Sequence, residues 1–341
     1  MPPPAPHQTK TALTNSERSL YIISMLTATQ PEQCIKCGGR AQRFGKHRNG
    51  LARFRCIPCK RTFTEEHTRT LGGYLPEAKV TMALQLLLEG NSIRSTERIT
   101  GMDRNTILSL LERAGAQCQK LMQRKIEHIT VKDVQVDEIW GFVQKKEARR
   151  RIQETEQVGD AWCFVAMERD TKLILAYHLG RRTKLSTQQF IAKLRYATSD
   201  SHYQLTTDGF HLYREVIHTM LQDRVSYGQL IKVYSSPREG EQRYSPGEVV
   251  EAVPVRIFGK PDPRRICTSH IERQNLSIRT SMRRMTRLTL GFSKKWENLD
   301  YAYALWFAYY NFCRVHRSLR VTPAMESGIT DHIWTIAELI A

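Results

Sequence analysis

The sequence predicts a multidomain α+β protein. A small ribbon domain stabilised by a bound metal ion comes first, followed by a helical domain and a mixed α/β domain. Three observations support this prediction. Two pairs of closely spaced cysteines lie near the N-terminus, apolar residues at helical spacing come next, and strand-like segments alternating with helices fill the remainder. The chain has 341 residues, which is enough for two or three domains. No apolar run reaches the length that spans a bilayer, so no membrane partner is expected.

The charge of the chain indicates a polyanionic partner. The net charge is +18 and the isoelectric point is about 9.7, a balance typical of nucleic-acid-binding proteins. Residues 34–66 hold nine Lys or Arg against two Glu, and residues 264–295 hold nine against one. A merely basic soluble protein, or one that binds anionic lipid, is the alternative, but this clustering favours nucleic acid.

The N-terminal segment predicts a structural zinc module. Residues 1–30 are Pro-rich and polar, so we expect a disordered or loosely ordered leader there. Residues 31–68 contain two C-x-x-C pairs whose separation allows four thiolates to bind one Zn²⁺ tetrahedrally. Four free thiols are the alternative, while a redox role lacks the surrounding βαβ pattern. The predicted zinc ligands are Cys34, Cys37, Cys56 and Cys59.

Residues 74–126 predict a helix-turn-helix DNA-binding domain. Apolar residues follow helical spacing up to Gly90, a short second helix reaches Thr100, and Asp103 can cap a third helix. This order of elements, with a glycine in the turn, is that of a helix-turn-helix motif. An ordinary three-helix bundle is the alternative. Bases would be read by the N-terminal residues of the third helix, Arg104, Asn105 and Thr106.

A mixed α/β sheet with helices on its faces is predicted for residues 130–330. Asp137 lies inside the first strand, and the alternation of apolar residues favours it over the adjacent Glu138 as the acid that faces a site. Asp208 ends a short strand before a glycine, so its carboxylate can project from the C-terminal end of that strand. A simple turn-forming role is the alternative for Asp208.

The basic segment HIERQNLSIRTSMRRMTR, residues 270–287, predicts one helix with a single acid, Glu272. Packing its apolar stripe on the sheet would bring Glu272 to the sheet's edge, with Arg279 beside it two turns further along. Three carboxylates from two strands and a helix can bind two Mg²⁺ ions about 4 Å apart. An ion pair with a neighbouring arginine is the alternative for Glu272. Rival third acids are Glu215, Glu239, Glu241, Glu248 and Glu251.

The motifs VDEIW, TTDGF and HIERQN, with Arg279 seven residues after Glu272, resemble those of DDE transposases with a ribonuclease-H-like core. The chain is most similar to the transposases of the first-described bacterial insertion-sequence family, which combine a zinc ribbon, a helix-turn-helix and a DDE domain. The segment NFCRVHRSLRVTPAM also resembles that family and its relatives. The resemblance covers the chain from Cys34 to about Gly328.

The resemblance implies a function and a set of site residues. The chain would be a DNA transposase that binds insertion-sequence ends, cleaves phosphodiesters and joins the 3′ ends to target DNA with Mg²⁺ or Mn²⁺. Asp137, Asp208 and Glu272 would form the catalytic triad, and Asn275 and Arg279 would contact DNA or position the triad. The resemblance further implies double-stranded DNA as partner, a homo-oligomer at synapsis, and a cytoplasmic, nucleoid-associated location in a prokaryote.

Other segments lead to further expectations. Residues 224–265 are predicted to form a strand followed by an inserted flap, and residues 331–341 a C-terminal tail. The basic run at 145–151 is either a loop over DNA or a solvated loop. Three arginines that follow Glu272 in the sequence are expected to contact DNA phosphates: Arg283, Arg284 and Arg287.

Two other functions stay open. The chain could be a non-catalytic DNA-binding regulator that uses the ribbon and the helix-turn-helix alone. It could also be a ribonuclease-H-like nuclease that lacks strand transfer. Three acids together with Arg279 favour an enzyme over a regulator, and the two DNA-reading modules favour a transposase over a nuclease.

Overall fold

The structure, a computed structural model, describes residues 33–34, 36–47, 52–64, 71, 73, 75–235 and 249–341. The chain divides into two compact units, Met1–Leu75 and Pro76–Ala341. The leader expected at residues 1–30 lies outside the described residues. In the described part of the chain, no helix combines the length and the apolar character needed to cross a bilayer.

The first unit contains a small antiparallel sheet. Its strands, in order across the sheet, are β1 (Ala41–Lys46), β2 (Ala52–Cys56) and β3 (Thr62–Thr64). Phe54 of β2 is buried, and its ring stacks on Phe63 of β3 with centroids 5.9 Å apart. One such aromatic pair is a small core for three short strands, so a metal ion bound by the nearby cysteines would add to the stability of this sheet.

Three helices open the second unit: α1 (Glu77–Leu88), α2 (Ile93–Thr100) and α3 (Arg104–Lys125). The side chain of Ser92 caps α2, and Gly101 ends it in a left-handed conformation with φ of 67°. Asp103 Oδ1 accepts a hydrogen bond of 2.8 Å from the backbone N–H of Asn105 and caps α3. These caps confirm the three helices and the turn that the sequence predicts.

A six-stranded mixed sheet forms the centre of the second unit. Its strands are β4 (Asp133–Val143), β5 (Gly159–Glu168), β6 (Ile174–Gly180), β7 (Tyr203–Asp208), β8 (Val225–Tyr234) and β9 (Val249–Phe258). They lie in the order β6-β5-β4-β7-β8-β9. The β4–β7 and β7–β8 pairs are parallel, and the other pairs are antiparallel. The mixed α/β architecture expected from the sequence is therefore confirmed.

Helices cover both faces of this sheet. Those on its faces are α4 (Lys184–Ala197), α5 (Leu212–Leu221), α6 (Ser269–Ser281) and α7 (Trp296–Phe312), and the short helices α8 (Pro323–Glu326) and α9 (Ile336–Leu339) pack on α7. On one face, the ring of Phe164 contacts those of Phe190 in α4 and Tyr213 in α5. On the opposite face, the ring of Tyr177 lies 5.0 Å from that of Phe307 in α7. The aromatic-rich helix α7 thus packs on the core, as its sequence predicts.

The N-terminal helices are fastened to the sheet through α3, which packs along α7. At the contact, a Cβ built on Gly115 would lie 2.4 Å from Tyr301 Cβ, so the two backbones approach closely. The helix-turn-helix segment and the sheet consequently belong to one compact unit. The helix-turn-helix domain expected at residues 74–126 stays a prediction.

The helix predicted over residues 270–287 is shorter than expected, because α6 ends at Ser281 and a 3₁₀ turn follows at Arg283–Met285. Side chains around this turn donate hydrogen bonds to backbone carbonyls that would accept backbone N–H groups in a continuing helix. Thr286 Oγ1 donates to the carbonyl of Arg279 at 3.0 Å, and Arg279 Nη1 donates to the carbonyl of Met285 at 3.3 Å. Side-chain hydrogen bonds of this kind compete with the helical ladder.

Two further segments are more regular than expected. Within residues 224–265, the described parts form β8 and β9, an antiparallel pair that extends the sheet, whereas residues 236–248 lie outside the described residues. Within the expected tail, Ile336 and Leu339 of α9 are buried and the helix packs against α1 and α7. Both segments are therefore built into the second unit.

Candidate active site and nucleic-acid interface

The three acids singled out from the sequence, Asp137, Asp208 and Glu272, line one pocket of about 600 Å³, called here the acidic pocket. Asp137 lies inside β4, Asp208 is the last residue of β7, and Glu272 lies in the first turn of α6. The parallel register that pairs Gln135 with Thr206 puts Asp137 beside Asp208. Two adjacent strands and one helix thus bring three distant segments together.

The two faces of β4 separate Asp137 from its neighbour Glu138. Asp137 is paired with Val165 and faces α6, whereas Glu138 is paired with Phe164 and points toward the α4 side. The Glu138 side chain is 2% exposed, and its Oε2 lies 3.1 Å from Nη2 of Arg182. Of these two acids, the one that lines the acidic pocket is Asp137, as the alternation along β4 predicts.

Burial and mutual repulsion disfavour the charged forms of these acids. Burial raises the pKa of Asp137 to about 7, and the charge of Asp208 adds to the shift. Burial also raises the pKa of Asp208. Burial, followed by the charge of Asp208, raises the pKa of Glu138 to about 8. A cation bound among these groups would relieve the repulsion.

Two amide side chains hold α6 against β4. Asn275 Nδ2 donates to Asp137 Oδ2 at 2.8 Å. Gln135 Oε1 accepts hydrogen bonds of 3.2 Å from the backbone N–H groups of His270 and Ile271, at the start of α6. Because Gln135 and Asp137 project from the same face of β4, these bonds fix the helix that carries Glu272 relative to Asp137.

Two cations in the acidic pocket were missed by the sequence reasoning. Lys232 of β8 lines the pocket and forms an ion pair with Glu272. Arg182 also lines it, and its Cζ lies 4.1 Å from the ring centroid of Phe210. A lysine inside the apolar strand sequence QLIKVYS is a signal that could have found Lys232, whereas Arg182 lies in a short loop without any distinguishing pattern.

The described rivals for the third acid lie outside the acidic pocket. Glu215 is exposed on α5 and pairs with Lys184. Glu251 is exposed on β9. The other three rivals lie outside the described residues: Glu239, Glu241 and Glu248.

Carboxylate oxygens are the ligands that Mg²⁺ and Mn²⁺ favour, so the donor set of the acidic pocket suits a hard divalent cation. Within the described residues, however, the only group of three or more His, Cys, Asp or Glu side chains already arranged around an ion position is the cysteine cluster. The Glu272 carboxylate instead accepts contacts from Lys232 and from the Thr268 hydroxyl. In this arrangement the three acids do not surround an ion position, and Glu272 is paired with Lys232 instead.

Arg279 lies next to the acidic pocket without lining it. Its guanidinium donates to the carbonyl oxygens of Met285 at 3.3 Å and Trp140 at 3.1 Å. Burial lowers its pKa, and the nearby charge of Asp137 opposes that shift. These contacts tie the end of α6 to β4, so of the two roles that the resemblance implies, positioning the triad fits better than contacting DNA.

The four cysteines of the first unit lie together, with their sulfur atoms within 4.8 Å of one another. The backbone N–H of Lys36 donates to Cys34 Sγ at 3.4 Å and lowers the pKa of that thiol to about 7. Four sulfur ligands at such distances fit a tetrahedral Zn²⁺. The cluster consists of Cys34, Cys37, Cys56 and Cys59.

A second concave surface, called here the basic groove, runs between the N-terminal helices and the segment that follows α6. It has a volume of about 880 Å³ and is lined by six cationic side chains and one carboxylate, that of Glu112. Asn105 lines it as well. It thus joins the end of α3 expected to read bases with the basic segment beyond Glu272. Its cations are Arg94, Arg104, Arg283, Arg284, Lys294 and Lys295.

The residues expected to contact DNA are placed differently from one another. Arg283 is exposed in the basic groove, while Arg287 is exposed outside it. Arg284 is turned inward: its Nη1 donates to Ser293 Oγ at 3.0 Å, and burial lowers its pKa to about 10. Thr106 is half-buried and lies outside the groove. Arg284 therefore fits a structural role better than the phosphate contact expected of it.

The basic run at 145–151 is engaged in its own ion pairs. Lys145 Nζ lies 2.6 Å from an oxygen of Glu154, and Arg150 Nε lies 2.6 Å from an oxygen of Glu147. These pairs favour the interpretation as a solvated loop over a loop that contacts DNA.

No family model and no curated protein matches the chain. Among solved structures, it is similar to a piggyBac transposase synaptic complex with hairpin DNA, at 11% identity and a TM-score of 0.38, over 81% of this chain and 72% of that one. It is also similar to the Mos1 strand transfer complex, at 15% identity and a TM-score of 0.19, over 48% of this chain and 60% of that one. The Mos1 mariner paired end complex with Mn gives 16% identity and a TM-score of 0.18, over 47% and 61%. TM-scores of this size do not establish a shared fold.

Proposed function

We propose that this chain is a DNA transposase that binds insertion-sequence ends, cleaves phosphodiesters there and joins the 3′ ends to target DNA. The observation that supports the proposal most directly is the meeting of Asp137, Asp208 and Glu272 in one pocket. The three sequence motifs that contain these acids lie on three separate elements. A turn-forming role for Asp208 or an ion pair for Glu272 would not explain why the three acids lie in the same pocket. A mixed sheet covered by helices on both faces is compatible with the ribonuclease-H-like core that the resemblance implies.

In this proposal the three carboxylates hold Mg²⁺ or Mn²⁺, and two bound ions would activate the attacking oxygen and stabilise the leaving oxygen of the phosphodiester. The protein's own part is to position the reacting groups. Asn275 orients the Asp137 carboxylate through its 2.8 Å hydrogen bond. Arg182, which lines the same pocket, provides a guanidinium that can bind a phosphate oxygen.

Double-stranded DNA is the proposed substrate, and the basic groove is its proposed contact on the second unit. Six cations against one carboxylate give the groove a positive field that attracts phosphates. The first unit adds exposed arginines on its sheet, including Arg43 and Arg55, and a zinc-stabilised ribbon would keep them in place. We propose a cytoplasmic, nucleoid-associated location in a prokaryote, and assembly of at least two copies when two DNA ends are joined.

The test is a cleavage and strand-transfer assay. The full chain loaded with Zn²⁺ is incubated with Mg²⁺, a second target plasmid, and a plasmid that carries the genomic segments flanking the coding sequence on both sides. We expect cuts at the borders of the flanking segments and joining of the new 3′ ends to the target plasmid. Asp137→Asn, Asp208→Asn and Glu272→Gln should each abolish both products.

The matched control is Glu215→Gln, which neutralises an exposed rival acid outside the acidic pocket and should retain both products. Cleavage without joining would identify the nuclease alternative. Tight DNA binding with neither product would identify the regulator. Light scattering on the DNA complex tests assembly, and a single copy per pair of joined ends would contradict it.

A further inference from the structure

The carboxylate of Glu272 is ion-paired with a lysine side chain of the same chain. Lys232 Nζ forms an ion pair with Glu272 Oε1, and the Thr268 hydroxyl donates to the same oxygen. The Lys232 side chain is 22% exposed and that of Glu272 is 41% exposed, so the pair is open to solvent on one side. An ion or a DNA strand that enters the acidic pocket can therefore reach it.

We propose that Lys232 is an internal counter-ion that competes with divalent metal for Glu272 and, once displaced, contacts a phosphate of the bound DNA. This inference rests on the proposed function, because it takes the three carboxylates to be metal ligands.

The position of Lys232 is set by the sheet. Leu230 of β8 is paired with Asp208, the last residue of β7, so Lys232 lies two residues beyond the end of that strand. On its other side β8 continues to pair with β9, where Lys232 is opposite Ala252. Because a regular strand supports it on one side, the lysine lies on a rigid element, while its long stem can still reach past Asp208 to α6.

Electrostatics explains why a cation is needed at this place in the absence of metal. Asp137, Asp208 and Glu272 would repel one another, and a lysine ammonium beside Glu272 reduces that repulsion. A divalent ion brings twice the charge and can bind oxygens of several acids at once, so it should displace a single ammonium. The released lysine then remains in a pocket whose carboxylates are neutralised by metal.

A DNA phosphate is the anion best suited to receive the displaced ammonium. A lysine is a compact charge on a flexible stem, which allows it to change partners without moving the backbone. A purely structural role fits less well, because a partly exposed lysine–glutamate pair contributes little to stability. The chemistry of the pocket thus favours an exchange of partners by Lys232.

The first experiment measures binding of Mn²⁺ alone to the full chain, with the cysteine cluster already loaded with Zn²⁺ and no DNA present. Free Mn²⁺ is followed by electron paramagnetic resonance. Lys232→Met should lower the Mn²⁺ dissociation constant by about five- to tenfold, because a competing positive charge is removed. Lys120→Met, which removes an exposed lysine from α3, is the matched control and should change nothing.

A double-mutant cycle tests whether the gain acts through Glu272. Adding Lys232→Met to Glu272→Gln should give no tighter Mn²⁺ binding than Glu272→Gln alone, because no pair is left to break. Thermal melts establish that each variant is folded, and Lys232→Gln replaces Lys232→Met if the latter is not. An unchanged or weaker Mn²⁺ affinity in the folded variant overturns the counter-ion proposal.

The second experiment tests the phosphate contact with duplex DNA that already ends at the 3′-hydroxyl product and is not cleaved again. In Mn²⁺, Lys232→Met should reduce the slope of log affinity against log salt by about one. Without added Mn²⁺, and with the cysteine cluster still loaded with Zn²⁺, the slope should stay unchanged, because Lys232 is then paired with Glu272. If Lys232→Met and the wild-type chain have equal slopes in Mn²⁺ as well, the exchange of partners is refuted.

The two failures can be told apart. If the zinc-loaded wild-type chain binds no Mn²⁺, or if Asp137→Asn leaves Mn²⁺ binding intact, the proposed function itself is contradicted. If the wild-type chain binds Mn²⁺ through Asp137 but Lys232→Met does not tighten the binding, only the role of Lys232 is contradicted.

Discussion

The side-chain amide of Asn275 donates a hydrogen bond of 2.8 Å to Oδ2 of Asp137 and so connects α6 directly to β4 inside the candidate site. The other oxygen of Asp137 accepts the backbone N–H of Glu138, also at 2.8 Å. With both oxygens engaged by hydrogen bonds, the Asp137 carboxylate has a defined orientation. A metal ligand held in this way depends on its hydrogen-bond partner for its orientation.

Replacing Asn275 with Ala should therefore slow DNA cleavage by about 10- to 100-fold without unfolding the chain. The Asp137 carboxylate would lose a donor that orients it, while the remaining contacts of α6 with β4 through Gln135 persist. Single-turnover cleavage at saturating Mg²⁺ measures the effect. Ser277→Ala, on the same helix, is the control, since that hydroxyl bonds only to the carbonyl of Arg273. A rate for Asn275→Ala equal to that of the control would count against the assigned role.

The affinity of the acidic pocket for Mn²⁺ should rise with pH. Burial and the charge of Asp208 raise the pKa of Asp137 from 3.8 to about 7, so below that pH the metal-free pocket holds a proton there that a metal ion must displace. We expect affinity to increase by about tenfold per pH unit below about pH 6, to rise less steeply at about pH 7 and to level off above about pH 8. Paramagnetic resonance titrations across this range measure it, and a pH-independent affinity would contradict the raised pKa.

Local chemistry explains why much of the fold could be predicted. The caps at Ser92 and Asp103 and the left-handed Gly101 involve residues within a few positions of one another, so the sequence reveals them directly. Alternation along β4 likewise separates Asp137 from Glu138 without any knowledge of the rest of the sheet.

The remaining features depend on contacts between distant segments. Helix α6 ends early because the Arg279 carbonyl accepts from Thr286, a side-chain choice that apolar periodicity does not reveal. Strand β9 lies in a segment for which the sequence predicts a flap, because the sequence does not mark its partner β8 as an edge strand that needs pairing. The Lys232–Glu272 pair joins a strand and a helix that are adjacent only in the folded chain. The sequence pattern thus indicates the acids but not the cations that accompany them.

The two neighbouring arginines Arg283 and Arg284 should respond differently to replacement by Ala. Arg283 is exposed in the basic groove, so its loss should weaken DNA binding and reduce the salt slope by about one while leaving stability unchanged. Arg284 is turned inward onto Ser293, so its loss should lower the free energy of unfolding by about 1–3 kcal/mol. Fluorescence anisotropy and urea denaturation separate the two effects.

The control for these two variants is Arg124→Ala, which removes an exposed arginine from the last turn of α3, outside the groove. It should alter neither the salt slope nor, by more than about 0.5 kcal/mol, the stability. An equal loss of DNA affinity in all three variants would show that the basic groove has no special role.

Removal of zinc should unfold the first unit and leave the second unit folded. The sheet of β1 to β3 has little core besides Phe54 and Phe63, whereas the second unit has an extensive core of its own. A strong chelator should release about one equivalent of Zn²⁺ and expose the backbone amides of β1, β2 and β3 to hydrogen exchange. Cys37→Ser should reproduce this exposure. Loss of protection throughout residues 76–341 would instead mean that zinc stabilises the whole chain.

Replacement of Gly115 by Ala tests how firmly the N-terminal helices are joined to the sheet. An added Cβ would lie 2.4 Å from Tyr301 Cβ and 2.7 Å from both the Cα and the carbonyl oxygen of Tyr301, and a backbone cannot move aside as a flexible side chain would. Helix propensity alone predicts that Ala is more stabilising than Gly by about 1 kcal/mol. Overpacking should outweigh that gain and lower the free energy of unfolding by about 1–3 kcal/mol.

Urea denaturation measures the change. The control is Lys120→Ala on the exposed side of α3, whose free energy of unfolding is expected to stay within about 0.5 kcal/mol of the wild type. A stabilised Gly115→Ala would mean that α3 and α7 are not in close backbone contact at this position.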